Sequence, residues 1–143
     1  MGFSTQTVED LPPRPVWRSL WRGAGHKCPA CGYGGMFSRF LKVRDACASC
    51  GEALYHHRAD DAPPYFTIFI VGHVMIPPLM WLETAVQPAI WLHLLLWLPL
   101  SVLLTLWLLP IVKGAIVGLQ WANYMHGFDP TSDEREGDPQ LEP

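Results

Sequence analysis

The four cysteines of the chain fall in two matched pairs: Cys28-Pro29-Ala30-Cys31-Gly32 and, after a fifteen-residue spacer, Cys47-Ala48-Ser49-Cys50-Gly51. This spacing constrains the fold more than any other feature, because two CxxC turns so separated bring four thiolates round one metal ion. In each pair two sulfurs on one tight turn reach the same ion. The glycine that follows supplies the positive φ such a turn needs. Four thiolates, from Cys28, Cys31, Cys47 and Cys50, fill a tetrahedral Zn²⁺ shell and leave no position for water or substrate, so the expected site is structural. Iron suits the same shell, but zinc is the commoner structural ion. Two disulfides would need an oxidising compartment, and a redox CxxC would need a βαβ context.

The rest of the chain divides into unlike halves. Of ten Lys and Arg, eight lie between Arg14 and Arg58, whereas Pro64 to Val112 carries one formal charge, Glu83. The apolar residues concentrate in that second half, which is long enough for two membrane spans. Residues 1–13 lack periodicity and are expected to form a disordered arm. Over 14–24, Arg14, Arg18 and Arg22 recur every four residues beside Val16, Trp17, Leu20 and Trp21. A helix there has a cationic and an aromatic face, suited to an anionic membrane surface or to packing on the ribbon. Residues 25–58 are assigned to the ribbon, with a β-hairpin over Met36–Arg44 that is too small to fold without its metal.

Residues 59–125 are assigned to a transmembrane hairpin with spans of about 64–83 and 89–112, capped at its start by Asp60 or Asp61. Helical character is expected to continue past Gly118 toward Tyr124, beside the ribbon. Residues 126–143 read as a disordered acidic tail. The fold class is thus a small β zinc ribbon followed by a two-helix transmembrane hairpin, a helical membrane protein overall. Basic residues precede the first span and Lys113 follows the second, while the turn has none, so both termini are expected in the cytoplasm.

Beyond the cysteines, two constellations could carry chemistry. His56, His57, Arg58, Asp60 and Asp61 lie where ribbon meets membrane and could hold a second metal or supply an acid and a base; equally, the aspartates cap the span and Arg58 pairs with them or with a phosphate. His73 lies midway along the first span, four residues before Pro77, which removes a helical hydrogen bond and should kink the helix. An ionisable residue at that depth faces a partner and not lipid, either the second helix or an external protein. His73 and His93 differ in depth by about 10 Å at 1.5 Å per residue, so one haem cannot take both within a monomer. Gly114 and Gly118 form a GxxxG pair that lets two helices approach closely, within the chain or in a partner or homo-oligomer.

Several runs together resemble the bacterial family called domain of unknown function 983: Lys27-Cys28-Pro29-Ala30-Cys31-Gly32, Cys47-Ala48-Ser49-Cys50-Gly51, the stretch from His56 to Thr67, and Gly72-His73. Lys113-Gly114-Ala115, Gly118-Leu119-Gln120-Trp121 and Met125-His126-Gly127-Phe128 fit as well, so the resemblance covers about residues 25–128. It implies a membrane-anchored zinc ribbon of unestablished activity, and a link to haem-copper terminal oxidase biogenesis through the genes that often neighbour family members.

The expectation is a bacterial inner-membrane accessory protein that is not an enzyme, holds one structural Zn²⁺, sits in the lipid bilayer and docks onto a larger membrane complex. Two alternatives remain. One is an interfacial enzyme or a metal- or haem-handling factor using the His/Asp junction, and the other a membrane-tethered nucleic-acid-binding ribbon, although no basic nucleic-acid stripe is present.

Overall fold

A computed structural model describes residues 11–59 and 62–130. The elements run α1 (Val16–Ala24), β1 (Phe37–Arg39), β2 (Lys42–Val43), α2 (Ala62–Val86), α3 (Ile90–Ala122) and a 3₁₀ turn at His126–Phe128. Strands β1 and β2 pair antiparallel, with Phe37 opposite Val43 and Arg39 opposite Lys42. The short turn between them includes Leu41 at φ 61. A left-handed conformation costs an L-residue roughly 1–2 kcal/mol.

The two long helices form the hairpin, joined by residues 87–89, and both are long and apolar enough to cross a membrane. They exceed the expected spans because neither needs to end at the hydrocarbon boundary. At 1.5 Å per residue α3 is about 50 Å long, against about 30 Å of hydrocarbon. Helix α2 runs unbroken through Pro77 and Pro78. It buries Pro63, Thr67, Val71 and Met75, a stripe at four-residue spacing.

The last third of α3 is where the remaining elements meet. Helix α1 packs antiparallel along it, and the GxxxG pair is used within the chain: a Cβ on Gly114 would overlap the Gly23 carbonyl oxygen, and one on Gly118 the Ser19 carbonyl. Ser19 and Gly23 are themselves four apart and buried, so two small-residue faces meet with backbones in contact. That settles which surface α1 covers. It lies against α3 and leaves Trp17 and Trp21 exposed, stacked edge to face with centroids 5.6 Å apart.

The ribbon core of Met36, Val43 and Leu54 closes on Val117 of the same helix. Further along, Trp121 and Ala122 pack with Phe128 and Ala30. Phe128 is 3% exposed, so the chain stays folded past position 126, where a disordered tail was expected to begin. The cause is apolar: Phe128 fills the space beside Trp121. The rest of that tail, residues 131–143, and residues 1–10 of the arm lie outside the described residues.

Candidate metal centre

Each CxxC turn is closed by its own backbone. The amide of Gly32 donates to the Cys28 carbonyl and that of Gly51 to the Cys47 carbonyl, both at 2.9 Å. Gly32 and Gly51 adopt φ 77 and 76, the left-handed geometry that places glycine after the second cysteine of each pair. The four sulfurs converge to within 4.8 Å of one another. Cys28 Sγ lies 3.8 Å from Cys50 Sγ, and Cys31 Sγ 3.8 Å from Cys47 Sγ. With metal–sulfur bonds of about 2.3 Å the edge of a tetrahedron is about 3.8 Å. All four cysteines are free thiols at a spacing that suits ligands, not disulfides, whose sulfurs bond at about 2.05 Å. The cluster can hold a tetrahedral metal ion.

Local electrostatics distinguishes the ligands. The backbone amides of Gly34 and Tyr33 hold the Cys31 thiol down to about 6, against an ordinary 9.0, whereas burial pushes Cys28 up to about 12. Burial also raises Cys50. A metal ion therefore meets a thiolate ready at Cys31 and has to displace a proton from Cys28. Gly34 is needed for a different reason from the turn glycines: a Cβ there would overlap Cys47 Sγ.

Residues to which the sequence gives no such role attach this centre to the membrane hairpin. Arg22, in the last turn of α1, donates from one nitrogen to the carbonyls of Pro29 (3.1 Å) and Ala30 (2.8 Å), gripping the first turn from below. Trp121 donates its indole N–H to Glu52 Oε1 at 2.8 Å, tying the segment after the second turn to α3. Gln120 accepts from the Arg58 amide at 3.1 Å and donates to the Arg58 carbonyl at 3.2 Å, so a buried side-chain amide substitutes for a neighbouring strand where the ribbon leaves for α2. Arg14 lies about 4 Å from the ring centres of both Trp121 and Tyr124 and donates to the Trp121 carbonyl at 2.7 Å.

The chain belongs to the family described as Protein of unknown function (DUF983). The match covers residues 37–121. It includes the second cysteine turn, the junction and both helices, and starts after the first turn and α1. No curated protein and no solved structure matches the chain. Within this DUF983 chain the described junction residues have these neighbours. The His56 ring sits against Tyr55 and Phe128, with centroids 4.1 and 5.8 Å away, and covers Gly127. His57 instead lines a groove with Lys42 and Lys113. Arg58 enters the clamp through its main chain, and Asp60 and Asp61 lie outside the described residues. Among the described residues the four cysteines are the one cluster able to hold a metal.

His73 is about 16 Å up α2 from Ala62 at 1.5 Å per residue, remote from that junction. It does not face α3, one of the two partners expected for it. Its Nδ1 meets the Phe69 carbonyl of its own helix at 2.8 Å, and its ring stacks on Phe69. His93, also named as a haem-ligand candidate, is engaged at the far end of the hairpin, with Nε2 2.9 Å from Glu83 Oε2 and Nδ1 accepting from the Trp97 indole at 3.1 Å. That acceptance requires the Nδ1 lone pair, so the proton sits on Nε2, which donates to Glu83.

Proposed function

We propose that the protein is a non-enzymatic accessory factor: a structural Zn²⁺ ribbon held at fixed geometry on a two-span anchor, which docks through its first span onto a larger complex in a bacterial inner membrane. The observation that carries this reading is the direction of His73. Tyr65, Phe69 and His73 recur every four residues on the exposed side of α2, opposite the buried stripe that packs on α3. An imidazole at mid-bilayer depth satisfies one nitrogen on its own helix and turns the other outward, where a hydrocarbon neighbour would be costly. A polar helix from another protein removes that cost.

The closed four-thiolate shell supports zinc as a structural ion and argues for docking over chemistry. The concentration of Lys and Arg on the ribbon side supports a cytoplasmic ribbon with both termini on that side. Family resemblance supports terminal oxidase as the client. The test is a deletion strain complemented with His73→Ala: metal content and membrane insertion stay at wild-type levels, while oxidase activity and haem absorbance in the membranes fall several-fold. Wild-type oxidase in the deletion strain itself would remove the respiratory client, and wild-type assembly with His73→Ala alone would remove the docking face.

A further inference from the structure

The ribbon is not hung on α3 at random height. Counting from the hairpin turn, α3 leaves the hydrocarbon core about 20 residues after Ile90, near Pro110, so Lys113 stands in the first turn beyond it. The ribbon meets α3 from there onward. Phe37 of β1 packs against Gly114, with its ring 3.4 Å from the position a Cβ would take. The ribbon core, with Val43 and Cys28 in it, closes on Val117, and Ala30 also packs with the cluster of Trp121, Ala122 and Phe128. Phe37, at the base of the β1–β2 hairpin, thus meets α3 one residue past Lys113.

The hairpin tip has the chemistry of that location. Phe40 is 60% exposed, and with Leu41, Lys42 and Lys113 it lines one groove of about 450 Å³. Arg39 and Lys42, on either side of the tip, and Lys113 on α3 form no ion pair among the described residues. Asp45 and His57 also line the groove, Asp45 being its single acid. An exposed aromatic flanked by cations that outnumber the groove's described acid, level with the end of a hydrocarbon span, has the composition of an element seated among lipid headgroups.

We infer that the β1–β2 tip is a lipid-binding element, with Phe40 and Leu41 entering the acyl boundary and Lys42 and Lys113 holding the phosphate of an anionic phospholipid between ribbon and span. The occupant is a membrane lipid and not a soluble phosphate ester, because the apolar tip and the cations share one groove, and Lys113, just past the hydrocarbon stretch of α3, lines it. This holds whichever protein the chain docks on.

Full-length protein in mild detergent, titrated with phosphatidylglycerol or phosphatidylcholine and read by native mass spectrometry, tests the inference. Wild-type protein should retain phosphatidylglycerol in clear preference. Lys113→Gln should lower that retention about 5-fold and Lys42→Gln with Lys113→Gln near 30-fold, since a basic residue at an anionic surface contributes about 1 kcal/mol. Phe40→Ser should weaken both lipids alike. Metal content reports whether the ribbon stays folded, and Lys113→Gln, outside the ribbon, remains informative if the double variant loses metal. Equal retention of the two lipids by wild type, an unchanged preference in Lys113→Gln, or displacement of phosphatidylglycerol by excess inorganic phosphate would each overturn it.

Discussion

The two cysteine turns have the same backbone hydrogen bond and the same glycine conformation, yet they are anchored unequally. The first is built into the molecule: Cys28 is fully buried, Arg22 grips two of its carbonyls, and Ala30 packs on Trp121 and Phe128. The second is anchored only on its inner side: Cys47 is buried in the ribbon core, but Cys50 is exposed and nothing lies within 4 Å of a Cβ built on Gly51. Turn geometry can be repeated by a local motif, but anchorage cannot. It comes from helices far along the chain, and only the first turn receives it from both α1 and α3.

The largest expected effect tests that asymmetry at the metal. Cys28→Ser removes a buried ligand and leaves a polar group in an apolar core, so the purified protein should contain no metal and the ribbon should unfold. Cys50→Ser opens an exposed corner that water can fill, and should retain metal at reduced affinity. Elemental analysis of the two variants decides it, and equal metal loss would break the comparison.

Acidification comes next. Cys31 is held below its ordinary value of 9.0, to about 6, so it meets the ion as a thiolate down to about pH 6 and takes up a competing proton only below that. Cys28, raised to about 12, works the other way: it carries a proton across the neutral range, and the ion must displace it. Since the ion needs thiolates, chelator competition should show metal affinity falling as pH drops below about 9, where Cys28 and Cys50 hold protons, and one proton more steeply below about 6, where Cys31 joins them.

A smaller effect isolates anchorage from turn geometry. Gly51→Ala pays only the left-handed penalty of about 1 kcal/mol, because nothing lies within 4 Å of the added carbon. At Gly32 the same carbon would stand 2.7 Å from Arg22 Nε. Gly32→Ala should therefore lower the melting temperature of the metal-loaded protein further than Gly51→Ala, and the gap should close in an Arg22→Met background. An effect of the same order belongs to the tie that follows the second turn. Trp121→Phe loses the bond to Glu52 and part of the packing on Phe128, at about 1–2 kcal/mol by chemical denaturation.

The pattern of what could be read in advance follows the same division. The metal shell, the hairpin between the cysteine pairs and the two spans depend on residues close in sequence, and spacing alone exposed them. Helix α1 was readable as a helix but not its seat, although Ser19 and Gly23 obey the same small-residue rule as Gly114 and Gly118. Gln120 was not readable at all, because its two bonds to Arg58 close across 62 residues and nothing local marks a glutamine at a helix end as a strand substitute. His73 was legible as a costly residue, but its bond to the Phe69 carbonyl competes with any interhelical partner and is decided by rotamer. Phe128 was hidden among polar neighbours whose composition suggests disorder.

Helix α3 keeps its helical backbone from the hairpin turn, through Pro99 and Pro110, to the residues that hold the ribbon, so the head moves with the end of the span. A bilayer thinner than the apolar length of a helix makes it tilt. With α3 across a bilayer, such a tilt would act as a lever stroke, swinging the metal centre toward or away from the surface.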